Sequence, residues 1–189
     1  MRYCITGIIL EINDEIIIIK NGHVGEQFKL IIEKNVALNY QINDEITLYI
    51  YDFQSQFEIT SFTFNSSVIR NIFELLINIK SIGILTAKSI INSIEIDKFL
   101  NIIKTHNFDE LLKYKFINKS SVIVIIKELN IKLFCKKYKK KQEEIIETLQ
   151  KLGFSKNSIY RVIDQLDSNL PFENLIEQTL KGLSNNETD

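Results

Sequence analysis

The spacing of apolar and polar positions divides the chain into three textures. Up to residue 64 they fall in short, partly alternating runs, Tyr3–Leu10, Ile16–Lys20, Gln27–Ile32, Ile46–Tyr51 and Phe57–Phe64, separated by Asn-Asp and Asn-Gly turn signals. Five such strands predict a small barrel over residues 1–64. The pentapeptide Ile12-Asn13-Asp14-Glu15-Ile16 recurs at Ile42–Ile46, and both copies read as turns entering a strand. From Val68 the stripe becomes helical through Ile69, Ile72, Phe73, Leu75 and Leu76. Further helical segments at Thr86–Ser93, Ile96–Thr105, Phe108–Leu112 and Ser120–Lys132 predict a helical domain over 65–135. Residues 143–185 read as three short helices: Ile145, Ile146, Leu149 and Leu152 share one face, Gly153 suits a left-handed stop, Ser155 suits an N-cap and Pro171 a first turn. A core that small is marginal alone.

Composition supports this order. Hydrophobic residues make up 45% of 189, with one Pro and six Gly, so most of the chain should be regular structure. Ile is used so freely that its presence inside helices says little about strand preference. The net charge of -1 argues at first against a polyanionic partner. Resolved by segment, the charge is -5 over 1–64, +9 over 65–142 and -5 over 143–189. A basic module between acidic flanks reverses that first inference. Five of the basic residues lie in Lys136–Gln142, a self-repelling run that reads as a flexible tether or frayed helix end over 136–142. Cys4 and Cys135 have no partners at ligand spacing, which argues against a disulfide framework or a zinc site. With no signal-type core and no membrane-spanning stretch, the expectation is a soluble cytoplasmic protein.

Two stretches of the basic segment share a form. Leu76–Lys88 and Leu111–Val122 each pass from an apolar segment through a tight turn into a helix, and Ile82 and Ile117 stand 35 positions apart in them. This is the layout of a helix-hairpin-helix element: a buried Ile staples the turn, and the amides of the following helix N-terminus face a phosphate without reading sequence. The turn calls for a residue that tolerates a left-handed backbone, a role for Gly83 in the first copy and Asn118 in the second. Lys80, Lys88, Lys113, Lys115 and Lys119 cluster around the two turns.

The order barrel, paired hairpins, charged tether and three-helix tail resembles the RuvA family, the Holliday junction-binding subunits of a bacterial branch migration complex. Matching stretches are Gly7–Glu11, Phe73–Ile77, Leu111–Lys113, Ile126–Leu129 and Leu152–Phe154. The resemblance implies a segregated mixed α and β fold: an OB-fold β-barrel that tetramerises, a tandem helix-hairpin-helix domain and a small UBA-like three-helix domain that contacts the RuvB motor. It further implies a homotetramer, singly or in pairs, on four-way junction DNA in recombination, repair and the response to DNA damage. The RuvC resolvase would be a further partner. No cofactor is implied, since ATP is consumed by the motor; in agreement, no Gly here is followed by Lys-Ser or Lys-Thr as in a P-loop.

Carried over by position, the DNA-binding role falls on Lys80, Ser81, Gly83 and Lys88 in the first hairpin and on Lys115, Asn118, Lys119 and Ser120 in the second. The family's two turn glycines correspond to Ser81 and Gly83, and to Phe116 and Asn118, so the second turn departs from the pattern. The family's acidic pair at the junction centre corresponds to Gln54 and Ser55, with Asp52 as a shifted substitute and Phe53 as an exposed aromatic able to stack on a base. The motor-binding patch corresponds to Leu149, Leu152, Phe154 and Leu180, residues that could equally form the tail's own core. Two other readings stay open. A general single-strand or duplex binder would use Tyr49, Tyr51 and Phe53 as a stacking platform. A glycosylase would need a catalytic pair, for which Asp109 and Lys113 are the one candidate.

Overall fold

The computed structural model describes residues 2–31, 40–135 and 138–185. Its first elements are β1 (Cys4–Ile12), β2 (Ile16–Asn21), β3 (Val24–Leu30), β4 (Glu45–Gln54) and β5 (Ile59–Phe64). They close a barrel in the order β1-β2-β3-β5-β4. Every pairing is antiparallel except β3 with β5, where Lys29 faces Phe62 and Leu30 faces Thr63. One parallel pair in a closed five-stranded barrel is the OB-fold arrangement. Alternation sends Ile5, Ile9, Ile17, Ile19, Phe28, Leu30, Leu48 and Ile50 inward to form its core. Both copies of the repeated pentapeptide are turns into a strand: Asn13 accepts from the Glu15 and Ile16 amides ahead of β2, and Asp44 accepts from the Gln41 amide ahead of β4.

Helix α1 (Ser67–Ile77) starts at Ser66, whose side chain accepts from the Val68 amide. Its apolar stripe meets the barrel through Phe73, whose ring lies 5.8, 5.4 and 5.1 Å from those of Tyr51, Phe62 and Phe64. Beside it the buried Arg70 donates from Nε to the Ile50 carbonyl at 3.0 Å. There follow α2 (Ile84–Ser93), α3 (Ile96–Lys104), α4 (Phe108–Leu112), α5 (Lys119–Phe134), α6 (Lys140–Lys151), α7 (Lys156–Ile163) and α8 (Phe172–Asn185). The chain divides into two compact units between Phe99 and Leu100, inside α3.

The tail helices α6, α7 and α8 enclose Ile145, Ile146, Leu149, Ile159, Val162, Ile163, Leu175 and Leu183. Gly153 has a φ of 97° just past α6, the left-handed stop that the sequence calls for. Ser155 caps α7 by accepting from the Ser158 amide at 3.1 Å. One boundary of the tether is corrected. Lys140, Lys141 and Gln142 form the first turn of α6, because Gln142 is buried and its Oε1 accepts from the Lys139 amide at 2.9 Å. Tyr138 is held as well, donating to Asp164 Oδ1 at 2.6 Å. The tether residues 136 and 137 lie outside the described residues.

Candidate nucleic-acid interface

The two hairpins have the same backbone course. In the first, the Ile79 amide donates to Leu76 O at 3.0 Å, Ile82 to Ile79 O at 2.8 Å and Ala87 to Gly83 O at 3.0 Å. In the second, Tyr114 donates to Leu111 O at 3.3 Å, Ile117 to Tyr114 O at 3.0 Å and Val122 to Asn118 O at 3.0 Å. Each bond of one set maps onto the other at the 35-residue offset. Ile82 and Ile117 are both buried, as staples should be.

The expected left-handed turn is corrected. Gly83 (φ -91°, ψ 170°) and Asn118 (φ -80°, ψ 163°) are both extended and serve as the N-caps of α2 and α5. An extended N-cap is open to any residue, so Asn118 imposes no strain on the second turn, and Phe116 is not among the residues with positive φ. Glycine at position 83 answers a different need. A Cβ built there would meet nothing within 4 Å, so the space in front of the α2 N-terminus is open on the protein side. Gly83 brings no side-chain cap, whereas Asn118 Oδ1 already accepts from the Ser121 amide at 2.8 Å and the Ser120 hydroxyl at 2.6 Å. The α2 terminus thus offers amides to an anion, and the α5 terminus is closed by its own side chain.

Around these turns Lys80, Ser81, Lys115, Lys119 and Ser120 are exposed, and Lys88 is half-buried. Lys113 is paired with Glu110, and Asp109 accepts from Asn157 Nδ2 at 2.5 Å. Asp109 and Lys113, the one candidate catalytic pair, therefore each face another residue. Among the described residues no group of His, Cys, Asp and Glu could hold a metal ion, and no helix is long and apolar enough to cross a membrane.

The loop read as the junction-centre pin is a hairpin whose turn lies further along. Asp52, Phe53 and Gln54 belong to β4, opposite Ser61, Thr60 and Ile59. Ser55 builds the turn: its amide and hydroxyl donate to Glu58 O at 2.9 Å, and its Oγ accepts from the Phe57 and Glu58 amides at 3.2 and 3.0 Å. Asp52 accepts from the Ser61 hydroxyl at 2.7 Å and from Arg2 at 3.4 Å. Partial burial pushes its carboxyl up, but that hydrogen bond and the guanidinium outweigh burial and hold it below the ordinary carboxylate range. Asp52 is thus taken up by the barrel wall and is not presented at the tip.

The aromatic expectations are corrected in the same region. Phe53 is half-buried, Tyr49 packs edge-on to Tyr3 at 5.8 Å, and Tyr51 lies between Phe73 and Arg70, so these three do not form an open platform. The aromatic that projects is Phe57, 95% exposed at the tip. Its signal in the sequence is Ser55, the turn-forming residue two positions before it.

In the tail, the four motor-patch residues separate by burial. Leu149 is fully buried in the core and Phe154 packs against it, while Leu152 is 67% exposed and Leu180 is 39% exposed. On the barrel, Ile8 and Leu10 alternate with the buried Ile9 and are exposed on the outer face. Gly25 sits between Leu10 and Ile18 there: a Cβ on it would lie 3.4 Å from Leu10 Cδ1 and 3.8 Å from Ile18 Cγ2.

Comparison with known proteins agrees with this geometry. Residues 140–184 match the family model for the RuvA C-terminal domain, which starts at the first residue of α6. The chain is 27% identical over 184 residues to the Holliday junction branch migration complex subunit RuvA of Mycoplasma capricolum, covering 97% of this chain and 98% of the relative. It is 29% identical to the subunit of the same name from Mycoplasma mycoides, with the same coverage. To that of Ureaplasma parvum it is 29% identical over 196 residues, covering 97% of each chain.

Proposed function

We propose, from the premise that this chain is a divergent RuvA homologue, that it is the DNA-binding scaffold of a branch migration complex. Residues 65–135 grip the backbones of a four-way junction through the paired hairpins. The barrel, residues 1–64, assembles the chain into a homotetramer through the outer face that carries Ile8, Leu10 and Ile18. The three-helix domain, 143–185, recruits and stimulates a RuvB-type ATPase, and the scaffold has no catalytic site or cofactor of its own. The observation that carries this reading is the pair of hairpins with one backbone geometry, each stapled by a buried Ile and with lysines around its turn, in a segment of net charge +9.

Phosphate contacts made by lysines release counterions, so affinity should fall steeply with salt, with a log–log slope of roughly -0.9 per phosphate neutralised. The test compares a four-way junction with a duplex of equal length across a salt series, with native mass spectrometry of both states. Tetramers that prefer the junction, with a steep salt slope, are expected. Equal affinity for duplex and junction, or binding indifferent to salt, would overturn the reading. Single-stranded DNA added as competitor should displace the junction poorly, because Tyr49 and Tyr51 are packed rather than open.

The tail offers a second prediction. Leu152→Glu with Leu180→Glu changes only exposed positions, so motor stimulation should be lost while the tail melts as in the parent chain. Leu149→Ala opens the buried core and should cost the tail about 2–5 kcal/mol, enough to unfold so small a domain. Retained stimulation in the double glutamate variant would place the motor contact elsewhere.

A further inference from the structure

We infer that the surface formed by the α3–α4 turn, α4 and α5 is a built docking site for the chain's own three-helix domain, a mount that fixes the domain beside the second hairpin. His106 is its centre. It occupies the α3–α4 turn with a φ of 53°, uncommon for a residue with a side chain, and its ring is 2% exposed. The ring lies flat on that of Tyr160 from α7, with centroids 4.4 Å apart and planes 1° from parallel.

Tyr138 closes the other side. Its hydroxyl donates to Asp164 Oδ1 at 2.6 Å and lies 3.2 Å from His106 Nε2, while Asp164 Oδ2 stands 3.5 Å from His106 Nδ1. Burial first, and then the Asp164 carboxylate, push the Tyr138 hydroxyl far above the ordinary phenol range, so it stays a donor. A second group of contacts lies around Asn157 on α7. Its Oδ1 accepts from the Phe108 amide at 2.9 Å, and its Nδ2 donates to Asp109. Lys156 sits 5.7 Å over the Phe108 ring, and Lys127 on α5 pairs with Glu143 on α6 at 3.3 Å.

Directional bonds, stacked rings and ion pairs distributed over α4, α5, α6 and α7 amount to more than a chance touch of a tethered domain. The mount leaves both working faces free: Asn118, Lys119 and Ser120 at the hairpin, and Leu152 and Leu180 on the tail, stay exposed. It also adds the tail's Lys156 to the cleft that Lys119 lines, at the hairpin whose amides Asn118 has closed. Docking therefore joins DNA grip to motor presentation.

The role in presentation rests on the function proposed above, while the interface itself is tested on free chain. Two full-length variants are compared with the parent by hydrogen–deuterium exchange: Tyr138→Phe with Asn157→Ala, and Asp109→Ala on the hairpin side, which cannot unfold the tail. Release of the mount should speed exchange about tenfold or more across 104–112 and 138–144 in the first variant, and less in the second, with 145–149 and 175–183 unchanged. Exchange equal to the parent in both variants would overturn the docking site. With saturating junction and motor present, the first variant should lose about threefold or more of motor stimulation, because a mounted domain is pre-organised. Faster exchange with full stimulation would retain the interface and overturn its role as a mount.

Discussion

Gly83→Asp is expected to weaken junction binding by roughly ten- to hundredfold, the loss of one charge-assisted phosphate contact worth about 1.5–3 kcal/mol, while leaving the fold intact. The separation follows from the site. At φ -91° and ψ 170° an N-cap aspartate is unstrained, and its Cβ enters open space. Aspartate is also among the best N-caps, so α2 should be as stable as before or more so. What changes is the surface offered to DNA: a carboxylate takes the α2 amides and repels the phosphate they would bind. Gly83→Asn is the control, because Asn118 holds the same position and backbone in the second hairpin. It should cap α2 equally without the charge and lose less affinity. Titration of a labelled junction, with a melting curve for each variant, reads both effects. An aspartate variant that bound as tightly as the parent would show that the first hairpin does not contact phosphate through these amides.

The same residue shows how far the chain could be read without coordinates. Alternating runs locate all five strands, because the barrel core takes every second residue and the short turns announce themselves with Asn, Asp or Gly, or with Ser55 between β4 and β5. The 35-residue repeat of the hairpins was equally plain, being carried by buried Ile82 and Ile117. The backbone of the turn was not legible. Glycine permits both a left-handed turn and an open extended cap, and only the dihedrals separate the two uses. A partner several strands or helices away is likewise invisible in local pattern. Asp52 reads as a substitute for the junction-centre acids until Arg2 and Ser61 are seen beside it. His106, Tyr138, Asn157 and Tyr160 are spread over 55 residues with no shared period, so nothing in their spacing announces a common surface. The lysine run leaves tether and helix end both open for a physical reason. Like charge predicts a solvated chain, but buried Gln142 and the held Tyr138 order its C-terminal part.

Arg70→Ala should destabilise the first unit by about 3–5 kcal/mol, the scale expected when one member of a buried charged network is removed. Arg70 is a buried cation on the face of α1 that meets the barrel. Its Nε donates to Ile50 O, its Nη1 donates to Asn71 Oδ1 at 3.1 Å and pairs with Glu74, and its guanidinium lies 5.0 Å from the Tyr3 ring and 5.5 Å from the Tyr51 ring. Alanine would leave the Ile50 carbonyl without this donor, open a void between two tyrosines and free the Glu74 carboxylate. Glu74→Gln should cost much less, because Glu74 is partly exposed and water can replace its partner. Arg70→Lys separates charge from shape: lysine keeps the ion pair but has neither the planar face for the rings nor a second nitrogen to reach Ile50. Chemical denaturation of the full chain should therefore rank the variants Glu74→Gln, Arg70→Lys, Arg70→Ala in order of increasing loss. A lysine variant as stable as the parent would show that charge alone suffices at this joint. Because α1 leads directly into the first hairpin, the Ala variant should also bind junction poorly at temperatures where the parent is still folded.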